Sequence, residues 1–186
     1  MKKVLTKHKA ALLLLVVLIA AVVLYAVMPR TPKQTVQDAA QSALIALFSC
    51  TQEQAQQIED ALAVKTEDIQ PGLTAAGQEL ETYAEQRYAA LLTPECIEQQ
   101  LANRTLTLSA GFARKQNADM EAVVLELKSA DESDEQFRFK VALCTVPDQA
   151  EVAQISGVIR MEKTPDGWKA SKVQASVVKQ TMLQLG

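Results

Sequence analysis

Beyond residue 8 the chain contains no histidine; the single one is His8, close to the N-terminus. That absence removes Ser–His–Asp and Cys–His nucleophile arrangements, and histidine metal sites, from everything downstream. Glycine is scarce, six in 186 residues and unclustered, so there is no Gly-rich loop to cradle a phosphate. Aromatic residues make up 4% of the chain, too few for a base-stacking platform. The three cysteines, Cys50, Cys96 and Cys144, include no C-x-x-C pair of the kind dithiol redox enzymes use. Acids are missing from the first 33 residues, which hold six of the 19 basic side chains: Lys2, Lys3, Lys7, Lys9, Arg30 and Lys33. The remaining 153 residues therefore carry 13 basic and 22 acidic groups, a net charge of −9. Such a surface repels phosphate backbones, and nucleic acid is not an expected partner.

What is present begins with an apolar run. Ala10 to Met28 is 19 residues without a charge, a Gly or a Pro, with Leu15, Leu18 and Leu24 among its side chains. As a helix it spans roughly 28 Å, close to the hydrocarbon thickness of a bilayer. A cleaved signal peptide has a shorter apolar region and a small-x-small cleavage site, and the stretch from Tyr25 to Pro29 offers no such site. The sequence thus predicts a basic cytoplasmic head (1–9), a transmembrane helix (10–28), a short Pro-stiffened linker (29–34) and an extracytoplasmic domain (35–186). Four lysines before the run against Arg30 and Lys33 after it place the N-terminus in the cytoplasm. The expected location is a cell membrane, spanned once, with the lipid bilayer as one partner.

In the domain, apolar positions at three- and four-residue spacing predict a helix over Thr35–Cys50, followed by a second to Leu62. The second opens on the capping-box pattern Thr51-Gln-Glu-Gln54. Pro71-Gly72 marks a turn region. A third helix is expected over Thr74–Leu92. A short fourth is capped by Thr93, with Pro94 at its first position. From Arg104 the spacing changes to two: Leu106, Leu108, Ala110 and Phe112 alternate with polar or small residues, predicting a first strand. Further strands are expected over Glu121–Lys128, Phe137–Thr145, Ala153–Met161 and Trp168–Lys179. The last pair is joined by the Thr164-Pro-Asp-Gly167 turn. Three to four helices followed by about five consecutive strands predict an α+β fold, the helices packed on one face of a curved antiparallel sheet.

The stretch Tyr88-Ala-Ala-Leu-Leu-Thr-Pro-Glu-Cys-Ile-Glu-Gln-Gln-Leu-Ala-Asn-Arg104 resembles the helix that leads into the sheet in the nuclear-transport-factor-2-like (cystatin-like α+β) superfamily. The Asp166-Gly-Trp-Lys169 hairpin is similar to theirs as well. The resemblance covers residues 35–180 and is architectural. It implies a cone-shaped domain whose helices pack into a curved sheet. One membrane helix followed by such a domain is similar to inner-membrane scaffold subunits of conjugation and type IV secretion machines, and to many bacterial surface proteins.

Three functional readings follow. The first is a non-enzymatic module of a bacterial envelope that binds another protein or itself. It rests on the anchor, the short linker and the missing catalytic inventory, and it assigns no catalytic residue, cofactor or metal. The second is a small-molecule binding domain, with Tyr83, Tyr88, Phe112, Phe137, Phe139 and Trp168 lining a hollow between helices and sheet; filling of the core is their ordinary role. The third is an isomerase- or cyclase-type enzyme with a carboxylate base, which needs an acid inside that hollow, and the inward phases of the strands supply none. The acidic run Asp131-Glu-Ser-Asp-Glu135 lacks the spacing of a calcium loop and reads as a solvated charged loop. Cys50 closes one helix and Cys96 opens another, so a Cys50–Cys96 disulfide is compatible with the pattern, as are buried free thiols. Cys144 falls on the polar phase of its strand.

Overall fold

A computed structural model describes residues 35–62, 72–130 and 134–180, together an α+β domain. The predicted membrane helix and its flanks lie outside the described residues. Among those that are described, no helix is long and apolar enough to cross a membrane.

Helix α1 (Val36–Phe48) starts on a reciprocal cap: Asp38 N–H donates to Thr35 Oγ1 at 3.1 Å, and Thr35 N–H donates to Asp38 Oδ2 at 3.2 Å. Its buried stripe is Ala39, Ala40, Ala43, Leu44, Leu47 and Phe48. Three alanines keep the stripe thin, so the helix lies close against the sheet and touches all four strands. The chain then extends, and Cys50 exchanges two backbone hydrogen bonds with Met120, of 2.9 and 2.8 Å. Helix α2 (Gln52–Leu62) carries the predicted capping box, with Gln54 N–H on Thr51 Oγ1 at 3.2 Å and Thr51 N–H on Gln54 Oε1 at 2.9 Å. Helix α3 (Gly72–Tyr88) buries Ala84 and Tyr88, and helix α4 (Pro94–Ala102) starts at the N-cap Thr93 as expected.

The segment after Arg104 departs from its prediction. Thr105–Thr107 is a turn of 3₁₀ helix and Leu108–Gln116 is a fifth α-helix, α5, where a strand was expected. Leu106, Ala110 and Phe112 of the strand pattern are buried here too, but with Ser109 and Ala113: Leu106, Ser109, Ala110 and Ala113 are the i, i+3, i+4, i+7 set of a helix. Arg114 and Lys115 sit in its last turn beside the negative end of the helix dipole, and Asn117 ends it in the left-handed region at φ 50°.

The sheet therefore has four strands, one fewer than predicted, and the described residues hold five α-helices, one more than the upper prediction. Strands β1 (Asp119–Ser129), β2 (Gln136–Val146), β3 (Glu151–Thr164) and β4 (Gly167–Gln180) form an antiparallel meander in sequence order. The β3–β4 turn is the predicted Thr164–Gly167 hairpin, Gly167 taking φ +129°. Bulges near Leu125, Val152, Val178 and Ser171 break the register. Extra residues of this kind bend strands and increase twist. The two edges are each partly closed: Cys50 pairs with Met120 on β1, and the stretch between α3 and α4 pairs with Ala170 on β4 through Thr93 N–H (2.9 Å) and Leu91 O (2.8 Å).

All the helix–sheet packing of the described residues is on one side of the sheet. There Phe137, Phe139, Val141 and Leu143 of β2 and Ala153, Ile155, Ile159 and Met161 of β3 meet the α1 stripe. Phe48 and Phe139 rings stand 6.0 Å apart at 41°. Gly157, half-buried on β3 opposite Phe139, leaves no room for a side chain: a Cβ there would collide with Gln174 O and lie 2.8 Å from the Phe139 ring.

Candidate functional site

The six aromatic side chains proposed as a pocket lining are dispersed within or against the core. Tyr88, Phe112, Phe137 and Phe139 are buried in one hydrophobic cluster, and Tyr83 and Trp168 pack on its margin half-buried. Arg87 lies between α3 and the α1–α2 junction. It donates to Ser49 O at 3.3 Å and to Tyr88 Oη at 3.1 Å, with its guanidinium 5.5 Å from the Tyr88 ring centre. Burial outweighs this cation and pushes the Tyr88 hydroxyl up to about 12, so it stays protonated at neutral pH. Among the described residues no aspartate or glutamate is buried.

The cysteines do not come together as a redox pair. Cys50, Cys96 and Cys144 are free and buried. Desolvation raises the pKa of each, that of Cys96 to about 11, so all three are protonated thiols at neutral pH. A nucleophilic cysteine needs the opposite shift. Cys144 occupies the outward phase of β2, opposite Glu121 of β1, yet is buried among its neighbours.

Cavities among the described residues lie around α5, with one further shallow hollow along α3 beside Gln78, Thr82 and Tyr83. A groove of ≈ 790 Å³ separates α2 from α5, crossed by Arg114, which pairs with Glu59 at 2.8 Å and donates to Gln56 Oε1 at 2.8 Å. Its lining is mostly polar, and Arg114, Glu59 and Gln56 within it are bonded to one another. It brings together no nucleophile and base.

The distinctive surface is the outer face of the sheet. Alternation along each strand sends Lys128, Arg138, Lys140, Arg160 and Lys172 outward, and all but the half-buried Lys140 are exposed. The register sets Lys128 directly opposite Arg138, and Arg160 directly opposite Lys172. Adjacent cross-strand positions of like charge destabilise a sheet. Lys128 reaches Glu126 at 3.1 Å. Arg138, Lys140, Arg160 and Lys172 make no ion pair among the described residues, though Lys140 lies directly opposite Glu126. Of the remaining sheet cations, Lys163, Lys169 and Lys179, the last two are paired, with Asp166 at 3.8 Å and Glu151 at 3.1 Å. Two hydrogen bonds from Gln154, then the Lys179 contact, hold the Glu151 carboxyl below its ordinary range.

A row of cations on one face of an acidic domain was not visible along the chain. Lys128, Arg138, Lys140, Arg160 and Lys172 are spread over 45 residues of sequence, and only the register gathers them. Alternation within each strand was the one signal that placed them on a common face. No protein-family model matches the chain, and no curated protein or solved structure matches it at significance.

Proposed function

We propose that the chain is a single-pass, membrane-anchored extracytoplasmic module of a bacterial envelope, whose domain acts by binding another protein or itself and not by catalysis. The anchor rests on the apolar run Ala10–Met28 and its basic flank. The interaction role rests on one observation above the others: the sheet offers solvent an outer face on which the exposed Arg138, Arg160 and Lys172 have no ion-pair partner among the described residues, while the helix side is occupied by a packed core. Charged side chains held next to like charges cost stability in the isolated domain, and a partner of opposite charge relieves that cost. The nuclear-transport-factor-2-like reading belongs with this proposal, supported by helices that precede a bulged antiparallel meander.

The test is cell fractionation with crosslinking. The full chain is expected to stay with membranes through alkaline carbonate, and its domain to be digested by protease added outside intact spheroplasts. A membrane-impermeant crosslinker should trap it in discrete higher-mass species. Release of the chain by carbonate would remove the anchor, and a chain that crosslinks to nothing at any surface lysine would remove the interaction role.

A further inference from the structure

The domain carries a second unrelieved surface, of the opposite sign. Glu81 and Glu85 stand four residues apart on α3, and Glu95 and Glu98 three apart on α4. All four are exposed, and none takes part in an ion pair among the described residues. Like charges at these spacings on a helix repel. The two helices pack against each other, and the one base on them, Arg87, is turned inward to Ser49 O and Tyr88 Oη. An acidic ridge thus lies on the helix side of the domain, and a basic face on the other.

We propose that the basic sheet face is where a second copy of this chain docks, presenting its acidic α3–α4 ridge to Arg138, Arg160 and Lys172. This deepens the interaction-module reading and rests on it. Charge complementarity selects the occupant. An anionic lipid surface would satisfy the cations and repel the ridge, whereas a second copy relieves both surfaces in one contact. A polynucleotide would find no aromatic ring on the face to stack on. Because face and ridge lie on opposite sides of one domain, the contact is head-to-tail. It leaves one free surface of each kind on the terminal copies. Copies confined to one membrane meet at a high effective concentration, so a contact that is weak in free solution is sufficient.

The experiment uses the full chain in nonionic detergent micelles, followed by sedimentation and by amine crosslinking. The wild type should associate at about 50 mM salt and do so about tenfold more weakly at about 500 mM, as screening shortens the reach of its charges. Arg138→Glu/Arg160→Glu should be monomeric, and so should Glu81→Lys/Glu85→Lys. An equal mixture of the two should yield one-to-one heterodimers and nothing larger. In that pair the first variant's intact ridge meets the second variant's intact face, and the other two surfaces are reversed. The heterodimer also shows that both variants are folded, and Arg138→Gln/Arg160→Gln serves if the double reversal does not fold. Wild type that stays monomeric at low salt overturns the proposal, as does association that survives the ridge variant. Phosphatidylglycerol added to the micelles that binds the face of a still monomeric protein also overturns it and assigns the face to lipid. Failure of the anchor is separable: a chain released by carbonate that still associates in micelles loses the membrane reading alone.

Discussion

At the scale of single residues, Gly157 and Cys96 carry the sharpest consequences. A methyl group at residue 157 would meet Gln174 O, which is backbone and cannot swing away. Gly157→Ala should therefore cost about 3 kcal/mol in a urea melt, at the upper end for overpacking a core. A smaller loss would mean that β3 and β4 separate easily at that point. Cys96 bears on pH. Burial raises its thiol from 9.0 to about 11, so the folded state holds the proton more tightly than the unfolded chain does. That contribution is complete below pH 9 and is lost as the pH climbs toward 11, about 3 kcal/mol in all. Tyr88 acts in the same direction between pH 10 and about 12. Thermal melts of Cys96→Ala should accordingly fall less steeply than wild type between pH 9 and 11. Equal slopes would show that the thiol titrates alike in both states. Neither residue's role was legible along the chain. Gly157 sits in a strand pattern with nothing to mark a close approach, and the burial of Cys96 depends on β4 passing over α4.

At the scale of elements, caps and turns were readable and one periodicity was not. Thr51, Thr93, Pro94 and the Thr164–Gly167 turn do in the fold what their local chemistry predicts, because caps and turns are satisfied by neighbours within a few residues. The segment after Arg104 misled because the four apolar positions Leu106, Leu108, Ala110 and Phe112 fit a two-residue period as readily as a three-to-four-residue one. What decides is whether α2 and β1 leave room for a strand or a helix, a question of packing. Gly111 discriminates between the two structures: in α5 an added Cβ meets nothing within 4 Å. Gly111→Ala should then stabilise the domain by about 0.7 kcal/mol through helix propensity. A destabilisation of similar size would speak against a helix there. Gln100 is the corresponding surprise on α4. It is fully buried, and its Nε2 donates to Val173 O at 3.0 Å, tying that helix to the β4 edge. Gln100→Ala leaves that carbonyl unpaired and a void beside it, and should cost about 2 kcal/mol by chemical denaturation.

At the scale of the whole molecule, the distribution of charge is the main result. The net charge of −9 after residue 33 conceals a sheet face of net positive charge and a helical ridge of net negative charge. The proposal implies that association and stability pull in opposite directions. Arg160→Glu, placed opposite Lys172, should raise the stability of the monomer by about 0.5 kcal/mol while weakening self-association. A melt showing a loss there would mean that Arg160 already has a partner. Taken alone, the sequence determined the α+β order, the caps, the hairpin and the charge asymmetry about residue 33. Each of these is set by neighbours close along the chain or by composition. It also determined that no histidine chemistry is available beyond residue 8. The tertiary structure decided that residues 108–116 are helical and that the four aromatics at 88, 112, 137 and 139 are core. It decided as well that five cations from four strands share one face. These follow from long-range pairing: antiparallel register brings together residues tens of positions apart, and local propensity carries no record of which residue will lie opposite which.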